Sequence, residues 1–99
     1  MNKPTLRSVP PPSPLRLDNI EAFLDGTRGQ LTIGEIRPIH RAALAAEGKK
    51  IRAALVGRED ETVVQLLQRL DAALDKFIME GVVTNEVLPE IQRRRATAK

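Results

Sequence analysis

The chain has no cysteine, no tryptophan and no tyrosine, and only one histidine and two phenylalanines in 99 residues. Each scarcity removes a class of chemistry. Without cysteine there is no disulfide, no thiolate zinc site and no thiol nucleophile. A lone imidazole, His40, is too little for a dedicated transition-metal site, so no metal or other cofactor is expected. Phe23 and Phe77 are too few to form the ring platform on which successive bases stack. No apolar run approaches the roughly 18 residues that a spanning helix needs. Lys3 and Arg7 near the start are followed by no apolar stretch, so no secretory signal is expected and the setting predicted is cytoplasmic.

Acidic residues are missing from both ends. Residues 1–17 carry Lys3, Arg7 and Arg16 with no acid, and residues 91–99 carry Arg93, Arg94, Arg95 and Lys99 with no acid. Residues 18–90 hold nine basic against thirteen acidic residues, so the formal net charge of +3 is set by the ends around an acidic middle. This argues against reading the whole chain as a basic nucleic-acid binder. Five of the seven prolines fall in residues 1–17. That composition predicts a disordered, proline-rich basic arm. Its Pro11–Arg16 segment has the P-x-x-P-x-R form of a polyproline ligand, a pattern that an ordinary solvated linker also produces. Residues 91–99 read as a flexible basic tail. The remaining 18–90 region makes one small domain, marginal alone.

What is plentiful is helical periodicity. From Asp60 to Gly81, Val63, Leu67, Leu70, Leu74 and Phe77 recur at steps of four and three, with Val64, Leu66, Ala73 and Ile78 widening the stripe. Glu59, Asp60 and Glu61 stand where carboxylates complement a helix dipole, and Gly81 stands where a left-handed C-cap is wanted. A short helix is predicted near 18–25, where Ile20, Phe23 and Leu24 share a face. Residues 32–56 are predicted as a second long helix with a bend at Pro38. It opens on the capping box Thr32–Glu35 and is rich in alanine at 42, 43, 45, 46, 53 and 54. The alternating Leu31 and Ile33 also allow a brief strand. A last helix is predicted near 84–92.

Candidate chemistry is thin. A catalytic triad would need His40 to meet Ser8 or Ser13, both in the proline arm. Asp71 and Asp75 are one helical turn apart but read as a solvated face rather than an acid–base pair. A helix-turn-helix placed after Gly57 would aim Glu59, Asp60 and Glu61 at DNA phosphates, which argues against it. Arg37, Arg41, Lys49, Lys50 and Arg52 give the second helix a basic row. With Arg93, Arg94 and Arg95 they are the candidate contacts to phosphates or to an acidic partner.

The sequence therefore predicts an all-α fold, an antiparallel helical hairpin with short flanking helices, completed as a dimeric helical bundle. The candidate partner or dimer interface is Val63, Leu67, Leu70, Leu74, Phe77, Ile78, Val82, Val83, Val87 and Leu88. The function expected is that of a small non-enzymatic regulator or adaptor, an inhibitor or accessory subunit. It would act through helix-mediated contact with a protein partner or a second copy, with no membrane and no small-molecule substrate. The alternative is a DNA-associated accessory protein whose basic arms touch phosphates without reading sequence.

Overall fold

Two-residue turns, not a helix bend, organise residues 30–56. The computed structural model describes residues 16–97, so the proline-rich arm, apart from Arg16 and Leu17, lies outside the described residues. Helix α1 (Asp18–Thr27) is followed by strands β1 (Gln30–Ile36), β2 (Ile39–Glu47) and β3 (Lys50–Val56). Helix α2 (Val63–Glu80), the short strand β4 (Thr84–Asn85) and helix α3 (Val87–Thr97) complete the order. The four strands lie side by side in sequence order, antiparallel except for the parallel β3–β4 pair.

The expected all-α hairpin is thus incorrect: the fold is α/β, with a four-stranded mixed sheet and three helices. The predicted bend at Pro38 is the tip of a hairpin, Ile36 pairing directly with Ile39 across Arg37 and Pro38. Gly48 does not interrupt a helix; it turns the next hairpin at a φ of 63°, with Glu47 paired to Lys50. A left-handed first residue is the geometry a two-residue hairpin loop asks of glycine. Thr32 and Glu35, read as a capping box, lie in β1.

The alanines misled because helix propensity is a weak preference that packing overrides. Here all but Ala46 form the buried floor of a sheet covered on both sides. On one side Ala43, Ala45, Ala53 and Leu55 meet Ile20 and Phe23 of α1 and Leu66, Leu70, Ala73 and Leu74 of α2. On the other, Ala42, Ala54 and Ile39 meet Val87 of α3, with Ile36, Leu44, Val56 and Ile91 around them. Small side chains in the central strands let leucines from the helices reach the sheet without overpacking.

Helices α1 and α2 are also joined by a polar contact. Asp71 of α2 caps α1: its Oδ1 accepts from the backbone N–H of Asn19 and of Ile20, both at 2.9 Å, and its Oδ2 from Asn19 Nδ2 at 3.0 Å. Asp71 is therefore not on a solvated acidic face; it supplies the acceptor that the first turn of α1 lacks. Helix α2 begins at Val63, three residues after the predicted start at Asp60, behind a capping box of Thr62 and Gln65. Gly81 ends it in the left-handed conformation at φ 71°, donating its N–H to the Phe77 carbonyl at 2.8 Å.

Candidate functional site

Arg69 fixes the corner from which the candidate surfaces extend. It sits mid-way along α2 and is only 22% exposed. Its Nε donates to Glu61 Oε2 at 2.6 Å and its Nη2 to Glu61 Oε1 at 3.0 Å, a two-pronged guanidinium–carboxylate pair. The same Nη2 reaches the Val56 carbonyl at 2.8 Å, and Nη1 reaches Glu86 at 3.2 Å. Glu86 accepts from the Val56 N–H at 3.0 Å, and its own N–H donates to Ala54 at 2.7 Å. One side chain thereby ties α2, the exit of β3, the 57–62 loop and the strand β4. Glu61 is 7% exposed, and its carboxyl is held down to about 2, chiefly by the hydrogen bonds from Arg69, against the opposing effect of its burial. Its role is not that of a dipole complement at the start of α2.

Beside this corner lies an open groove of about 340 Å³ between the start of β2, the exit of β3 and α3. Ile39, Val56 and Gly57 line it together with His40, Arg41, Arg58, Glu59 and Arg94. Two of the arginines are tethered. Arg41 donates to the Glu61 carbonyl at 2.7 Å, and its aliphatic stem lies so close to Gly57 that a Cβ there would come within 2.9 Å of it. Arg94 donates to the Pro38 carbonyl at 2.7 Å and to Glu90 at 2.6 Å. Arg93, then Arg94, hold the Glu90 carboxyl below its ordinary range. A wider groove of about 640 Å³ crosses the 58–61 loop and the first turns of α2. Its best-placed acid, Glu61, is already committed to Arg69, so the smaller groove is the better-formed site.

The basic residues predicted as one row are separated. Arg37 and Arg41 are at the groove end of the sheet, whereas Lys49 and Lys50 are at the opposite hairpin tip, roughly 27 Å away along β2. Arg52 points to neither end: it stacks over Phe77 at 4.7 Å and donates to Glu47 at 3.1 Å. Arg93 and Arg94 are on α3 and engaged with Glu90; Arg95 is exposed on the same helix.

The apolar residues predicted as an interface separate in the same way. Leu70, Leu74 and Val87 are buried inside the protein's own two cores, with Leu67 partly buried beside them, so they cannot also face a partner. Phe77 is half-buried under Arg52. The buried stripe of α2 is Leu66, Leu70, Ala73 and Leu74, meeting a sheet rather than a second helix, which removes the helical-bundle geometry. Val63, Ile78, Val82, Val83 and Leu88 are exposed.

Sequence reasoning missed Ile51 and Met79, which extend this exposed apolar surface, and Arg58, which lines the basic groove. For Ile51 the signal was the pair of short turns, Arg37-Pro38 and Gly48-Lys49, between runs of seven to nine residues, and for Met79 it was its place beside Ile78, Val82 and Val83; Arg58 had none. Among the described residues no group of acids and histidine is arranged to hold a metal, and no helix is long and apolar enough to cross a membrane. No protein-family model, no curated protein and no solved structure matches this chain.

Proposed function

We propose that the protein is a small non-enzymatic adaptor or accessory subunit that captures an apolar, acidic segment of a protein partner. The observation that carries this reading is the run at the end of α2. Ile78, Met79, Val82 and Val83 are 49%, 73%, 41% and 42% exposed within six consecutive residues. Ile51 adds to it from the start of β3, where β4 is too short to cover the strand: it pairs only with Ala53 and Ala54. Clustered exposed aliphatics of this kind mark contact surfaces more than single ones do. A patch of five side chains falls short of the roughly 800 Å² per side of a standard interface. A second copy seated there alone would hold weakly, whereas an extended segment gains main-chain bonds at the open sheet edge as well. Lys49 and Lys50 precede Ile51 and Lys76 precedes the run, so the fitting segment carries carboxylates beside its apolar residues. The cytoplasmic setting expected from the sequence is carried into this proposal.

The test is a peptide-display selection on the intact chain, counter-selected against a Met79→Glu, Val83→Glu double variant. Both positions are exposed, so the variant should fold, which circular dichroism checks. Enriched peptides rich in aliphatic and acidic residues, bound at least ~10-fold more weakly by the variant, support the reading. Equal binding to both proteins, or a dimer in light scattering that the variant abolishes, overturns it.

A further inference from the structure

The apolar run leaves the opposite end of the sheet unexplained, and there the groove over Ile39 and Val56 has its own chemistry. It is lined by three guanidinium groups, Arg41, Arg58 and Arg94, and one imidazole, His40, against a single carboxylate, Glu59. These come from three places in the chain: β2, the loop after β3, and α3, brought together only by the fold. A cluster of like charges is unfavourable unless something offsets it. The structure offsets part of it: Glu90 pairs with Arg94, and the Glu61 and Pro38 carbonyls accept from Arg41 and Arg94. Arg58 has only the through-space attraction of the nearby Glu61 carboxylate, which is already paired with Arg69, and His40 has no such compensation. Neither side chain has a hydrogen-bond or ion-pair partner among the described residues, and both border the groove.

Two further features indicate a site built in advance. Gly57 is seated against the Arg41 stem and donates its N–H to the Arg41 carbonyl at 2.8 Å, so Arg41 is held where it is before any ligand arrives. Arg94 is anchored across the turn at Pro38, on the helical stripe that Val87 and Ile91 pack onto the sheet. Tethered guanidinium groups lose little freedom on binding, and their planar forks match phosphate oxygens. The volume of about 340 Å³ suits a phosphate with the sugar that carries it, resting on the apolar floor of Ile39 and Val56.

We propose that this groove binds the phosphate of a nucleotide, presented either by a free mononucleotide or by a nucleic-acid backbone. Arg58 and His40 are the residues that ligand binding completes; Arg41 and Arg94 are preset donors. The site is in the folded domain and independent of the apolar run at the far end of the sheet. It is also distinct from the basic ends of the chain, residues 1–17 and 91–99, except for Arg94.

The experiment is an amide NMR titration of the full chain with three probes: a mononucleotide, a short single-stranded oligonucleotide and a duplex of the same sequence. The expected result is shifts centred on Ile39–Arg41 and Gly57–Glu59. Shifts with the mononucleotide identify a free nucleotide as source. Shifts only with the oligonucleotides identify the backbone; their affinity should then fall about 3- to 12-fold between about 50 and about 200 mM salt, as for one or two neutralised phosphates. A His40→Gln, Arg58→Gln variant should bind at least ~10-fold more weakly with unchanged amide spectra elsewhere, since both side chains are exposed and neither makes a side-chain hydrogen bond. A Lys49→Gln, Lys50→Gln variant, altered at the far hairpin tip, should bind as the wild type. No shift at the groove with any probe, shifts confined to residues 1–17 and 95–99, or equal losses in the two variants would each overturn the assignment. None of these outcomes bears on the apolar run, whose own variant leaves the groove intact.

Discussion

Replacing Glu61 with glutamine keeps the shape of the side chain and removes the charge on which Arg69 depends. The carboxyl is lowered from an ordinary 4.5 to about 2, first by the side-chain hydrogen bonds from Arg69. Were all of that difference realised as stability it would amount to about 3 kcal/mol. The pair stands at the rim of an open groove and Arg69 is 22% exposed, so solvent screens it, and about 1–2 kcal/mol is the expected contribution. Its sign with pH follows from linkage. The folded-state value lies below the unfolded one, so the stabilisation is fully present above about 4.5 and is lost as pH falls from there to about 2. Urea unfolding of wild type and Glu61→Gln at several pH values should therefore give curves about 1–2 kcal/mol apart near neutrality and converging in acid. A gap that stays constant from neutrality to acid would refute the electrostatic account, leaving only a packing effect. A gap under ~0.5 kcal/mol everywhere would show that the Arg69 junction does not stabilise the fold.

Two further substitutions probe how the helices are attached. Asp71→Ala strips three acceptor contacts from the first turn of α1 and should cost about 1–3 kcal/mol, with hydrogen exchange at Asn19 and Ile20 accelerating ahead of the sheet. Unchanged exchange there would mean that α1 is held by Ile20 and Phe23 alone. Gly29→Ala places a Cβ into the buried Phe23 ring and should lower stability by about 1–3 kcal/mol, whereas Gly26→Ala, in α1 with open space around it, should raise it by up to about 1 kcal/mol. Equal melting temperatures for the two variants would contradict the packing of Phe23 against the α1–β1 connection.

Helix α2 was legible because its evidence is local. The apolar spacing from Val63 to Phe77 and the terminal Gly81 specify a helix and its end whatever surrounds them. Which face would be buried was less so: Leu66 and Ala73 belong to the inner stripe, while Val63 faces out. Residues 30–56 were not legible in the same way. Six alanines and a plausible capping box all favour helix locally, by tenths of a kcal/mol each. The hairpins replace those small preferences with a ladder of non-local hydrogen bonds and two buried faces. Only the brief alternation of Leu31 and Ile33 and the two short turns hinted at this. The basic residues show the same limit. Arg41, Arg58 and Arg94 are widely spaced in sequence, and nothing in their spacing predicts a shared groove. By contrast, sequence alone places Ile78, Met79, Val82 and Val83 together, since four aliphatics within six residues stay neighbours in any fold.

By itself, then, the sequence determined composition-level facts that no folding can alter: no thiol chemistry, a lone imidazole, and an acidic middle between basic ends; it also located one strongly amphipathic helix near 60–80. The tertiary structure decided the rest. It chose sheet over helix for the alanine-rich stretch because burial between α1–α2 and α3 rewards small side chains on both strand faces. It turned Asp71 from a surface acid into the cap of a helix 52 positions away in sequence, and Glu61 into the partner of Arg69. It also gathered three arginines and His40 into one groove. Those outcomes depend on contacts between distant segments, whose energies exceed the local preferences that a linear reading can weigh.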